Sequence, residues 1–434
     1  MDRLGVAIGR SVFVRGRGLP DMAKRRRSVL AAVSGVAAAL AGCVDGGDEN
    51  GERTQSNRNV SDESPDDSAS PTVASAFLQY QSDAGNTGAL VDESGPTGAI
   101  GSLFEFGSDH RMGSPSVADG TVYVTEGRGG SGGTATAGTG TTANSGAAET
   151  TVAAVDAVDG TTQWETTYSN TAAAGATAVT EESVLAGVGG SVVALDPATG
   201  DQQWAYACGR ASDITVGDGA VYVVGMVGGT ATLHSLASAD GSVRWERPID
   251  ADAQYTTPAV ASGTVYVGGA ALQAFGTARG AEQWRVETAV STAPTVVDDS
   301  VVVGSGGSLR AYDTAGVEQW TTDVTAVAQE DTVSHSPAVA SGTVYLSAAA
   351  GLGAYDLASG ERSYRVELGI DGTPVVADGF VYLLDTGQLA CLGADDGVTE
   401  WSYGTGQVED PGSAAPAVVD GVAYFPAERL YAIA

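Results

Sequence analysis

The sequence predicts an all-β protein: an eight-bladed β-propeller of four-stranded antiparallel blades. Three observations carry that expectation. First, all six tryptophans, Trp164, Trp204, Trp245, Trp284, Trp320 and Trp401, end segments of the type A-L-D-x-x-T-G-x-x-x-W, as in Ala194-Leu195-Asp196-Pro197-Ala198-Thr199-Gly200 before Trp204. Phe104 and Tyr364 fill two further positions, so the aromatic sites recur about every 40 residues, the period of a radial β-repeat. Second, each site is preceded by a run such as Ser114-Pro115-Ser116-Val117-Ala118-Asp119-Gly120-Thr121-Val122-Tyr123-Val124. Asp-Gly between two Val/Tyr-rich runs signals a tight hairpin. Third, the last repeat stops after Leu430-Tyr431-Ala432-Ile433, before its aromatic strand, while Leu103-Phe104-Glu105-Phe106 stands unattached at the other end. Pairing these two pieces closes the ring without free edges.

The elements follow in order. Lys24-Arg25-Arg26-Arg27-Ser28-Val29-Leu30 leads into the apolar run Ala31 to Leu40 and then Leu40-Ala41-Gly42-Cys43. A basic start, a run too short to span a bilayer and a small-residue end make an export signal over residues 1–43. The arginine pair resembles a twin-arginine signal, and L-A-G-C resembles a lipobox that makes Cys43 the lipidated first residue, with Met22 a plausible true start. Residues 44–74 are Asp, Glu, Ser, Asn and Pro, too polar to offset the entropy of ordering, and read as an acidic tether. The propeller occupies 75–434. A Gly/Thr/Ala-rich loop at 127–149 explains the 60-residue gap between Phe104 and Trp164.

A blade of this kind cannot bury its faces alone, so neighbours stack and the aromatic of each outer strand docks on the next blade. The turn aspartates, Asp159, Asp196, Asp240, Asp313, Asp356 and Asp396 among them, read as caps of their own turns.

The repeat resembles the pyrroloquinoline-quinone (PQQ)-type β-propeller family, whose tryptophan-docking motif is A-x-D-x-x-T-G-x-x-x-W. Gln81-Ser82-Asp83-Ala84-Gly85-Asn86-Thr87-Gly88 is similar to that family's opening D-x-x-x-N-T-G, with one residue fewer between the aspartate and the asparagine. The resemblance implies one of two functions. Quinoprotein dehydrogenases of the family hold PQQ and calcium on the ring axis, commonly beside two adjacent cysteines. BamB-type members are lipid-anchored scaffolds without catalysis. This chain has no Cys-Cys pair; beyond Cys43 it holds only Cys208 and Cys391, in different repeats and read as buried free thiols. No nucleophile elbow, phosphate loop or H-E-x-x-H element is present, and the three histidines, His110, His234 and His335, lack metal-ligand spacing. The expectation is therefore no catalytic residue, no metal and no cofactor. The protein is read as a monomeric, BamB-like scaffold at the outer face of the cell membrane, with a protein partner. The alternatives are a PQQ- and calcium-binding dehydrogenase and a surface binder of solutes or glycans. A ligand at the channel mouth would meet His110, Asp213, Tyr255, His335 and Asp371, which precede innermost strands.

Charge bears on the setting. Without residues 1–42, which hold eight of the 21 basic and two of the 53 acidic residues, the chain carries a formal −38, and the only lysine is Lys24. Such self-repulsion destabilises a compact state in dilute buffer, but at molar salt the screening length falls to about 3 Å. The composition fits a halophile, most simply an archaeon, and it disfavours nucleic acid as a partner.

Overall fold

The computed structural model describes residues 77–434 apart from 91–92, 97, 99, 108–109, 130–147, 170, 172–173, 210, 251–255, 325–332, 349–350, 370–371, 386–387 and 405–413. The expectations for the export signal, Cys43, the tether and most of the 127–149 loop lie outside these residues. Eight antiparallel blade sheets follow one another along the chain, the seventh extended at its inner edge by Ala89–Leu90 in parallel, with no helix among the described residues. Blade 2 shows the pattern: Ala178–Val179, Val184–Val188, Ser191–Leu195 and Gln202–Ala207, paired in that order from the axis outward.

Local chemistry sets each turn. Between the first and second strands, Asp119 and Gly120 have φ of 49° and 73°, the two positive angles that a type I′ hairpin needs. Between the third and fourth strands, Asp196 Oδ1 accepts the N–H groups of Ala198 (2.9 Å) and Thr199 (3.0 Å). Asp156, Asp313 and Asp356 cap the same position of their turns, whereas Asp159, Asp240 and Asp396 stand before the turn glycine and each accept from the N–H two residues on.

Packing between blades repeats as regularly. Trp164 Nε1 donates to Pro197 O (2.8 Å), Trp204 to Ser238 O (3.0 Å), Trp245 to Thr277 O (2.7 Å), Trp284 to Thr314 O (2.8 Å) and Trp320 to Leu357 O (2.8 Å). Each acceptor lies in the third-to-fourth-strand turn of the next blade. The same turn places its glycine flat under the indole: a Cβ on Gly200 would sit 2.5 Å from Trp164 Cε3, and Gly200 has φ of +73°. Tyr364 donates through its hydroxyl to Ala394 O (2.9 Å). Phe104, with no donor, only stacks, over Gly160. Within the blade, the tyrosine of the V-Y-V strand backs the indole, with Tyr123 and Trp164 ring centroids 6.0 Å apart.

Ring closure is as the half repeat requires. Ser102–Phe106 pairs antiparallel with Leu430–Ile433 and becomes the outer strand of blade 8. Trp401 of blade 7 still finds an acceptor, Pro96 O at 2.8 Å, supplied by the N-terminal chain in place of the turn that blade 8 lacks.

Candidate functional site

The axial channel is the one place where all blades converge, and its end near the Asp-Gly turns is lined by residues 77–90 and 93–94. Phe77 exchanges both backbone bonds with Val117 of blade 1, at 2.7 and 2.8 Å. Leu78 O accepts from Val179 of blade 2 (2.7 Å), and the Gln79 side chain takes the Val216 N–H of blade 3 (2.7 Å). Ala84, Gly85, Thr87 and Gly88 then accept in turn from Val260, Val296, Val339 and Val376 of blades 4 to 7, all within 2.7 Å. Ser94 O takes the Gly421 N–H of blade 8 (2.7 Å). The segment therefore crosses the ring in blade order and satisfies inner-strand amides that would otherwise face the channel unpaired.

Why this segment fits follows from its residues. Gly85 leaves room for the Val296 carbonyl, which a Cβ would approach to 2.6 Å. Asn86 is buried and its Nδ2 donates to Pro258 O (3.0 Å) and Pro294 O (3.2 Å), bridging blades 4 and 5. Gln81 Nε2 donates to Pro337 O (3.1 Å), while its Oε1 is buried with no partner among the described residues. The Asp83 carboxylate accepts from Thr87 N (3.0 Å) and the Thr87 hydroxyl, folding the segment on itself; burial raises its pKa.

The opposite end is the mouth. One residue per blade stands just before each inner strand: Ser114, Ala176, Asp213, Thr257, Ala293, Ser336, Thr373 and Ala415. Their side chains lace neighbouring blades, Ser114 Oγ accepting from Ala415 N (2.8 Å) and Ser336 Oγ from Ala293 N (3.0 Å). Asp213 Oδ1 accepts from Ala176 N (2.8 Å), and Oδ2 takes only a long bond from Thr257 Oγ1 (3.5 Å). From the plug, Tyr80 reaches the same ring, with its hydroxyl 3.3 Å from Thr373 Oγ1. Burial pushes Tyr80 up to about 12 and raises Asp213, whose shift the Ala176 N–H, Thr257 and the Arg111 charge oppose. Beside Asp213 lies a polar cavity of about 30 Å³ lined by Arg111, Ser114, Gly175, Ala176 and Ala414.

Of the residues expected at the mouth, Asp213 alone lines this cavity. His110 lies on the same side, where its backbone N–H bonds Glu428 O (3.0 Å), and His335 is half-buried with Nδ1 3.4 Å from Ser334 Oγ; neither reaches the cavity. Tyr255 and Asp371 lie outside the described residues. Sequence reasoning missed Tyr80 and Arg111, which belong to no repeat position. The third histidine is far from the axis: His234 is fully buried in blade 3, with Nδ1 3.0 Å from Tyr206 Oη and 3.1 Å from Glu246 Oε1, and burial lowers its pKa. Cys208 and Cys391 are buried and unlinked.

The chain matches the family model described as outer membrane protein assembly factor BamB over residues 88–218 and 190–408. It belongs to the BamB family. No curated protein matches it by sequence. Among solved structures, BamB from Moraxella catarrhalis is 19% identical, covering 77% of this chain and 98% of that one with a TM-score of 0.56. The quinohemoprotein alcohol dehydrogenase from Comamonas testosteroni is 15% identical, with 84% and 81% covered and a TM-score of 0.62. A europium-containing methanol dehydrogenase is 12% identical, with 82% and 89% covered and a TM-score of 0.61. At these identities the likenesses show the fold, which BamB shares with dehydrogenases, and the activity has to be argued from the site.

The cavity beside Asp213 does not fit a quinone cofactor. Its planar, three-ring tricarboxylate needs a pocket of several hundred Å³ with several cationic partners. The mouth cavity offers about 30 Å³, one arginine and an opposing carboxylate. No group of three or more His, Cys, Asp and Glu among the described residues is placed to hold a metal ion.

Proposed function

We propose that this protein is a non-catalytic, lipid-anchored propeller at the outer face of the cell membrane, where it serves as a protein-interaction scaffold in the manner of its family. The observation that carries the reading is the channel: its own N-terminal segment lines one end, and the cavity beside Asp213 at the other admits groups the size of one or two waters. An axial site of that size supports contact with a protruding group of a partner better than turnover of a substrate. The lipobox cysteine Cys43 and the acidic tether support placement outside the membrane.

Two measurements on the full-length protein test this. Addition of PQQ and calcium should leave dye-linked alcohol oxidation at background, and cross-linking in intact cells should join the protein to a stoichiometric membrane or exported partner. Alcohol oxidation that depends on added PQQ would overturn the scaffold reading.

A further inference from the structure

We propose that the mouth cavity is a receptor for the free N-terminus of a polypeptide, Asp213 taking the terminal ammonium and Arg111 the first carbonyl oxygen. The proposal rests on the scaffold reading and names what the scaffold grips. Among the eight residues that ring the mouth, Asp213 is the only charged one; the others are Ser, Thr or Ala. An ionised carboxylate has about four acceptor positions, and Asp213 uses one well, on Ala176 N, and a second loosely, on Thr257 Oγ1. It therefore keeps acceptor capacity on the cavity side. Arg111 lines the same cavity and steadies the carboxylate by charge, yet the two form no ion pair within 4.0 Å. The result is an anion and a cation that line one space of about 30 Å³ without pairing.

The chemistry of that space selects the ligand. A free anion would meet the Asp213 carboxylate, and a metal ion would meet the Arg111 guanidinium with one carboxylate to hold it. A lysine side chain carries the ammonium but no neighbouring carbonyl for Arg111. A chain N-terminus carries both, an ammonium small enough for the cavity and, three bonds away, a carbonyl oxygen that can meet the exposed Arg111. Because residues 77–90 bond the inner strands across the other end of the channel, a chain can enter by its tip but cannot thread through. Capture of terminal amines by fixed polar groups is a known mode of peptide recognition. Exported proteins acquire such termini when their leaders are removed.

Calorimetric titration of the full-length protein with triglycine, N-acetyl-triglycine and glycine tests the assignment. Triglycine should bind and its acetylated form should not. Asp213→Asn keeps an acceptor for Ala176 N–H and should weaken triglycine by about tenfold or more, the worth of a charge-assisted hydrogen bond. Arg111→Gln should weaken it less. Glycine binding as well as triglycine would keep the ammonium assignment and make free amino acids the source. Equal binding of the acetylated peptide, an unaffected Asp213→Asn variant, or no triglycine binding would each overturn the proposal. Loss of the proposal with the cross-linked partner retained would leave the scaffold standing; PQQ-dependent oxidation would remove the scaffold whatever triglycine does.

Discussion

Around the outer belt, six of the eight joints use one repeated device, an aromatic ring laid on a glycine turn and bonded to its carbonyl, while Phe104 keeps only the stacking and Trp401 bonds the N-terminal chain instead. Around the channel, the same blades meet through a segment that occurs once, residues 77–90 with 93–94, which touches each inner strand through a different residue. The comparison separates two ways of closing a ring. The belt distributes its energy over eight similar joints, so one weak joint, such as Phe104 without a donor, is tolerated. The channel concentrates its closure in a single chain segment with no spare copy. Individuality follows the same division: the turns at the rim are interchangeable, whereas Asp213 and Tyr80 have no counterparts in other blades.

The largest effect should come from removing the unique part. Deletion of residues 77–106 takes away the plug and the outer strand of blade 8, and should give an aggregating protein by size-exclusion chromatography; a monomer with unchanged unfolding would break the comparison. Next, transfer of the full-length protein from molar KCl to about 0.1 M should unfold it, because screening of its acidic surface is lost. Retained circular dichroism would show that the belt and plug hold without salt. Within the belt, Trp204→Ala removes a ring that is only 9% exposed and should cost about 3–5 kcal/mol. Within the plug, Asn86→Ala strands the carbonyls it bridges and should cost about 1–3 kcal/mol. Denaturant titration of both variants would sharpen the ranking, since an Asn86 cost above that of Trp204 would put the channel first even residue by residue.

The smallest effect concerns the mouth. Burial raises the Asp213 pKa above its unfolded value. Stability linked to that carboxyl is therefore fully present below the unfolded pKa and lost as pH rises through the folded one. Near neutrality the ionised group is a burden on the fold, so Asp213→Asn should melt at or above the wild-type temperature at pH 7, with the gain shrinking toward pH 4. A melting point that falls at pH 7 would assign Asp213 to the structure of the ring rather than to its mouth.

The legibility of the sequence divides along the same line. The blades are readable because each strand repeats its partners' spacing: the Asp-Gly hairpins and the docking motif recur often enough to outvote the degenerate copies in blades 2 and 3. Residues 103–106 are readable as the closing strand because the last repeat lacks one. The plug is not, for a physical reason: its partners are the backbone amides of Val117, Val179, Val260, Val296, Val339 and Val376, and amides leave no mark in a sequence. Asp83…Gly88 stands out as a motif, yet only the structure shows Gly85 against a carbonyl and Asn86 between two blades. At the mouth, alignment of the repeats on the residue before each inner strand singles out Asp213 among Ser, Thr and Ala. Arg111 and Tyr80 carry no such signal, because they reach the mouth from a split inner strand and from the plug.

The plug is the claim on which the sealed channel and the blind mouth both depend. Amide hydrogen exchange tests it most directly. If residues 77–94 sit in the channel in solution, the amides of Val260, Val296, Val339 and Val376 should exchange as slowly as those in blade interiors such as Val192 and Val302, opening only with global unfolding. Exchange of these four amides at the rate of exposed outer-strand amides would show the channel open and contradict the account.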